Sequence, residues 1–151
     1  MNISQFSILD SKFDYDKLSA LDKLCVGADG WSADSFREES QRPESIILTA
    51  YDGDTLAGMI AGFTAADTGE ILTVCTAPQY RRQGVARMLM ETFLTSVPDS
   101  VESIALEVRQ SNTAAIELYK SFGFEKAGVR KRFYRDPIED ADIMVLNRTN
   151  S

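Results

Sequence analysis

Between residues 45 and 146 the sequence alternates strand-length apolar runs with two amphipathic helical stretches, in the order ββ-βα-βα-ββ. Strand patterns that return after each helix ask for a sheet that the helices cover. The expected class is therefore α/β, a mixed central sheet with helices on its faces. Runs 45–51 and 55–65 flank Asp52-Gly53-Asp54, a hairpin signal. Asp67-Thr68-Gly69 makes the next turn, and 70–77 is a strand stopped by Pro78. A helix over 84–97 carries Val85, Met88, Leu89, Phe93 and Val97 on one stripe and ends at Pro98. In the strand 103–108, Ile104, Leu106 and Val108 alternate with Ala105, Glu107 and Arg109. Asn112 opens a helix to Phe122 with Ala115, Leu118, Tyr119 and Phe122 on one face, and Gly123 stops it. Strands 125–134 and 140–146 close the chain around Asp136-Pro137. Ahead of the sheet stand a weak strand at 4–9 and a helix over 15–28 with Leu18, Leu21, Leu24 and Cys25 at helical spacing. A short helix over 33–40 follows, capped by Ser32 with Asp34 in its first turn.

The 151 residues fit one domain, residues 1–151, large enough for a real core. No window approaches 18 uninterrupted apolar residues, and residues 1–10 lack a basic flank and a long apolar run, so neither a membrane span nor a signal peptide is expected. Cys25 and Cys75 make no disulfide framework, and a reducing, cytoplasmic setting follows. A net charge of −7 speaks against nucleic acid as partner. The chain has no histidine, which removes Ser-His and Cys-His nucleophilic sites and His-containing metal sites. Two cysteines cannot hold an all-thiolate zinc either, so no metal is expected, and any general base is Glu, Asp, Tyr, Cys or water.

Arg81-Arg82-Gln83-Gly84-Val85-Ala86 lies between a strand and a helix, with Arg87 following. Unpaired N–H groups and the dipole at a helix start attract phosphate, Gly84 lets the backbone approach an anion closely, and the arginines add charge. An ordinary basic turn would read the same way. The stretch resembles the Q/R-x-x-G-x-G/A motif of the GNAT superfamily of N-acetyltransferases. Four others resemble its RimI-type branch, which acetylates protein N-termini: Trp31-Ser32 with Phe36, Glu70 to Val74, Leu106 to Arg109 running on through Ser111-Asn112-Thr113-Ala114-Ala115-Ile116, and Leu118-Tyr119 with Phe122-Gly123-Phe124. The resemblance is close over residues 55–146 and loose before Trp31.

The resemblance implies a GNAT fold in which acetyl-CoA, the cosubstrate, lies where two parallel strands splay, here 70–77 and 103–108. Backbone groups of Val74 and Thr76, flanking Cys75, would pair with the pantetheine arm. The N–H groups of residues 82–87 would hold the pyrophosphate, and Asn112 would bond near the thioester end. The matching glutamate in the branch makes Glu107 the candidate base. Alternation alone would suit a solvent-facing position, and Glu70 is the rival acid. A buried helix tyrosine is the plain reading of Tyr119, but the family context places it beside the CoA sulfur as the proton donor. Cys75 could be acylated in a ping-pong route, yet the superfamily generally transfers directly, and a small buried hydrophobe explains it. An α-amine titrates near 7.7–8.0 against about 10.4 for lysine, so a modest carboxylate base suits a protein N-terminus as acceptor.

In these enzymes the terminal hairpin shapes the peptide site. RimI-type chains tend to carry Arg-Arg-Asn-Tyr-Tyr and a longer loop. This chain has Arg130-Lys131-Arg132-Phe133-Tyr134 and a shorter connection over 135–140, and the segment 135–142 resembles eukaryotic and archaeal N-terminal acetyltransferases. Trp31, Phe133 and Tyr134 are the expected acceptor contacts, with a protein N-terminus, a ribosomal protein among the candidates, as substrate and a monomer or weak dimer as the assembly. A small amine or lysine acceptor, and a non-catalytic CoA-binding module, remain the alternatives.

Overall fold

The computed structural model describes residues 5–148; Ser4, placed in the first strand by the sequence, lies outside them. Seven strands form one sheet in the order β1-β2-β3-β4-β5-β7-β6. They are β1 (Phe6–Leu9), β2 (Ser45–Asp52), β3 (Thr55–Ala65), β4 (Thr68–Thr76), β5 (Ser103–Arg109), β6 (Glu125–Arg135) and β7 (Ile138–Asn147). Every neighbouring pair is antiparallel except β4 and β5, which run parallel. Helices α1 (Tyr15–Val26) and α2 (Ala33–Ser40) cover one face, and α3 (Val85–Ser96) and α4 (Thr113–Ser121) the other. Period-two alternation serves both cores. Ile47 and Met59 pack with Leu18, Leu21 and Phe36, while their neighbours Leu48 and Ile60 pack with Leu89, Phe93 and Ile104. Among the described residues no helix is long and apolar enough to cross a membrane.

The parallel pair is only partly joined. Rungs run from Thr68↔Ser103 to Ile71↔Leu106 and stop, although β4 continues to Thr76 and β5 to Arg109. The break coincides with a bulge. On the other edge of β4, Ala61 pairs with Thr73 and Gly62 with Ile71, so Leu72 is an extra residue without a partner in register. A bulge bends its strand, and here the bend carries residues 72–76 away from β5. The strands therefore diverge from one defined point and leave a wedge that opens towards the start of α3 and the end of β5.

Several boundaries differ from the sequence reading. β4 begins at Thr68 because the turn closes on Ala66 (φ 55°) and Asp67 alone. α1 stops at Val26, where Gly27 takes φ 74° and a 3₁₀ turn, Gly27–Asp29, follows. Leu24 is 63% exposed. At 3.6 residues per turn it lies about a quarter of a turn from the centre of the stripe set by Leu18, Leu21 and Cys25. The last hairpin is longer than expected, with strands reaching Arg135 and starting at Ile138.

The absence of a side chain at Gly62 is what lets α3 sit over the bulge. A Cβ there would run into the Glu70 carbonyl and meet the Phe93 ring at 2.7 Å. Gly62→Ala is expected to cost about 1–3 kcal/mol in a denaturant titration, whereas Leu24→Ala should stay within about 0.5 kcal/mol of the parent. Equal midpoints for parent and Gly62→Ala would contradict this packing.

Candidate active site

Two adjoining cavities occupy the wedge. One, about 430 Å³, lies on the α1 side and is lined by Glu70, Glu107, Trp31, Phe133 and Tyr134 among others. The second, about 710 Å³, runs to the start of α3 and is lined by Val74, Cys75, Thr76, Arg81, Arg82 and the first residues of α3. Cys25, Val26, Val74, Asn112 and Tyr119 border both, so the two cavities adjoin at the split in the sheet.

The start of α3 suits a polyanion. Gly84 caps the helix in the left-handed conformation (φ 81°), a state open to glycine, and no side chain caps the N–H groups that follow. Arg82 also has positive φ, 64°, as the chain turns sharply into the helix. Arg87 lies 3.3 Å from Ser121 Oγ, with its guanidinium over the Phe122 ring, on the wall between α3 and α4. Gly84, Val85, Ala86 and Arg87 all border the larger cavity. Gln83 does not, and its side-chain amide donates instead to the Gln79 carbonyl. Asn112 caps α4, its Oδ1 accepting from the Ala115 N–H. That leaves its amide NH₂ as the group able to reach into either cavity.

Glu107 stands on the face of β5 opposite Ile104, Leu106 and Val108, as the alternation required, with its side chain 17% exposed at the mouth of the split. Burial and then the charge of nearby Glu70 push its carboxyl above the ordinary range, while Arg130, 3.4 Å away, pulls it partly back. Glu70 pairs with Ala105, two residues before Glu107, so both carboxylates share a face of the sheet. Tyr119 enters from α4 and is 7% exposed. Burial drives its phenol well above the usual value, so it keeps its proton throughout the physiological range.

A hub that the sequence did not disclose holds the opposite wall. The Asp29 carboxylate accepts from the backbone N–H groups of Arg135 (3.1 Å) and Asp136 (3.0 Å), and from Arg109 Nη2 at 3.2 Å. Arg109 also donates to Glu139 and to the Asp136 and Pro137 carbonyls, and lies 4.2 Å over the Tyr134 ring. The 3₁₀ turn after α1 is thereby tied to the tip of the β6–β7 hairpin. In that hairpin four steps on β6, Arg130 to Tyr134, face two on β7, Ala141 to Glu139. Arg132 absorbs the excess at φ 53°, its N–H held by Asp140 Oδ1 at 2.8 Å. The bulge presents Phe133 and Tyr134 to the smaller cavity, their rings edge to face at 5.0 Å. Burial pushes the Tyr134 phenol up to about 12.

Asp22 was also missed. It is 2% exposed and accepts from the Trp31 N–H at 2.7 Å and from Thr73 Oγ1 at 2.7 Å. Its signal was present, since an acid four residues after Leu18 and three before Cys25 falls on the buried stripe of α1.

The sequence profile of the Acetyltransferase (GNAT) family matches residues 14–124. The chain is 34% identical over 130 residues to the N-alpha-acetyltransferase RimI of Mycobacterium tuberculosis, covering 83% of this chain and 80% of that one. It is 38% identical over 120 residues to the ribosomal protein bS18-alanine N-acetyltransferase of Escherichia coli, covering 77% and 80%. The crystal structure of the ribosomal-protein-S18-alanine N-acetyltransferase from Escherichia coli superposes with a TM-score of 0.84 at 28% identity, covering 97% of this chain and 96% of that one.

The electrostatics at Glu107 can be measured directly. Its side-chain carboxyl, followed by carbon NMR, should titrate above the ordinary glutamate value of about 4.3. Glu70→Gln should move that titration down and Arg130→Ala should move it up. Indifference to both substitutions would contradict the geometry.

Proposed function

The chain belongs to the GNAT family of acetyltransferases and to its RimI-like members, and from that premise we propose that this acetyl-CoA-dependent enzyme acetylates the α-amino group of a protein that starts with alanine, a ribosomal protein being the substrate its relatives' names suggest. The single observation carrying this reading is the position of Glu107, at the point where the smaller cavity meets the split between β4 and β5.

Acetyl-CoA supplies the activated acetyl group, and the chain's residues supply placement and proton control. The arginine-flanked start of α3, with its free N–H groups, binds the pyrophosphate. Residues 72–76 of β4 have no strand partner towards β5, and Val74 and Thr76 offer backbone groups there to the pantetheine amides. Glu107, with its raised carboxyl pKa, takes the proton of the attacking amine directly or through one water. The α-amine suits this base, since it titrates about two units below a lysine side chain. The Tyr119 hydroxyl donates a hydrogen bond to the sulfur as it leaves. A phenol shifted so far up stabilises the developing thiolate more readily than it surrenders its proton. Trp31, Phe133 and Tyr134 form the apolar wall against which the first residues of the acceptor lie, and Cys75 packs as a buried side chain without taking the acetyl group.

Mass spectrometry on peptides that start with Ala, Ser, Met or Glu and contain one internal lysine tests this reading. Acetyl is expected on the α-nitrogen, with the Ala-starting peptide preferred and the lysine unmodified. Glu107→Gln should lower kcat by about 10²–10⁴-fold with little effect on acetyl-CoA affinity, and Gly84→Asp should do the reverse. Acetyl found mainly on lysine, or only on a free small amine, would overturn the proposal.

A further inference from the structure

A group of reactive side chains beside the split is left unused by this transfer. Asp22 and Cys25 are three residues apart on α1 and share a face, while Thr73 and Cys75 are two apart on β4 and share another. The two faces meet. Asp22 Oδ1 lies 3.2 Å from Cys75 Sγ, which also lies 3.2 Å from Thr73 Oγ1. Cys25 Sγ donates to the carbonyl of Thr76 at 3.6 Å, on the stretch of β4 that no longer pairs with β5.

The two thiols differ in access and in acidity. Cys25 is half-buried and borders both cavities, whereas Cys75 is 2% exposed. A hydrogen bond from Cys75 lowers Cys25 to about 7 against the opposing effect of burial, with the Arg81 side chain adding to the lowering, so near neutral pH the thiol that bonds the Thr76 carbonyl is in exchange with a thiolate. Cys75 is raised, by the same hydrogen bond and by burial, and keeps its proton beside the Asp22 carboxylate. An accessible thiolate next to a protonated thiol that has its own proton acceptor is the arrangement a two-step oxidation needs.

We infer that Cys25 and Cys75 are an oxidation site for small hydroperoxides, closing to an intramolecular disulfide that ties α1 to β4 beside the split. In the first step the Cys25 thiolate attacks the terminal oxygen of the hydroperoxide. The O–O bond breaks, the alkoxide takes a proton and leaves as an alcohol, and Cys25 becomes a sulfenic acid. In the second step the Cys75 sulfur attacks the Cys25 sulfur. The S–O bond breaks and the hydroxyl leaves as water with the proton from Cys75, which Asp22 accepts and passes on. Two thiols are oxidised and one hydroperoxide is reduced, giving a disulfide, an alcohol and water. The bond draws α1 onto the unpaired edge of β4 and narrows the passage at Thr76. Its effect on acetyl transfer rests on the reading of that passage as the pantetheine channel; its formation does not.

The test treats the full chain with cumene hydroperoxide, unfolds it in denaturant, blocks remaining thiols with an alkylating agent and maps the peptides without reduction. The expected product is one linked peptide pair, Cys25 with Cys75, within a single chain and reversed by dithiothreitol. Cys75→Ala should stop at a Cys25 sulfenic acid that dimedone traps, and Cys25→Ser should leave Cys75 alkylatable. Two alkylated thiols after treatment, a cross-chain disulfide, or a Cys25 sulfinic acid beside a free Cys75 in the parent chain would each overturn the site. In the second arm, the disulfide form should lose acetyl transfer and regain it on reduction. A disulfide that forms without affecting transfer removes the claim of a narrowed channel. A reduced chain that never transfers acetyl counts against the function proposed above and not against the oxidation site.

Discussion

Strands β4 and β5 hold each other over four rungs and then part at Leu72, and the site depends on that parting. A fully paired parallel sheet would seal its interior between two helical layers, leaving neither cavity nor free backbone edge. The bulge opens the sheet without dismantling it, because β4 keeps its antiparallel partner β3 on the far side as far as Thr76. Gly62 makes the bulge compatible with a packed α3, since any side chain there would collide with the Glu70 backbone and Phe93. The core thus fixes where the wedge begins, and residues at its mouth, Glu107 and Tyr119, are aimed by rigid elements and not by loops.

The outer wall is held differently. It consists of polar contacts between segments distant in sequence: Asp29 on the hairpin tip, Arg109 on Asp29, Glu139 and the Tyr134 ring, and Asp22 on the Trp31 backbone and Thr73. The Arg109 and Asp29 side chains are only 15% and 20% exposed, so these charge-assisted bonds are stronger than ordinary surface pairs. They shape the smaller cavity while leaving its two walls as separate segments.

Much of this was legible in the sequence because it rested on local pattern. Alternation in 103–109 placed Glu107 opposite an apolar face, Gly84 ahead of an amphipathic stretch marked the start of α3, and Ser32 as a cap and Asn112 as the opening of a helix agree with the structure. The role proposed for Tyr119 is not local and rests on resemblance alone. What stayed hidden depends on pairing between distant segments. The extra residue at Leu72 exists only relative to β3, and the two extra residues between Arg130 and Tyr134 only relative to β7. Arg109 and Asp29 are 80 residues apart and carry no periodic mark. Leu24 was misplaced for a simpler reason, since three leucines at spacing three drift round the helix and the third faces solvent.

The central claim is that the wedge between β4 and β5 brings a thioester and an amine together beside Glu107. A crystal structure with a bisubstrate analogue, CoA joined through its sulfur to the α-nitrogen of an alanine-starting peptide, tests it most directly. The pantetheine should hydrogen-bond to the backbone of Val74 and Thr76 within the split, the pyrophosphate should lie on the N–H groups at the start of α3, and the α-nitrogen should face Glu107 with Tyr119 at the sulfur. A pantetheine outside the split, or an α-nitrogen directed at Glu70 with Glu107 turned away, would contradict the account.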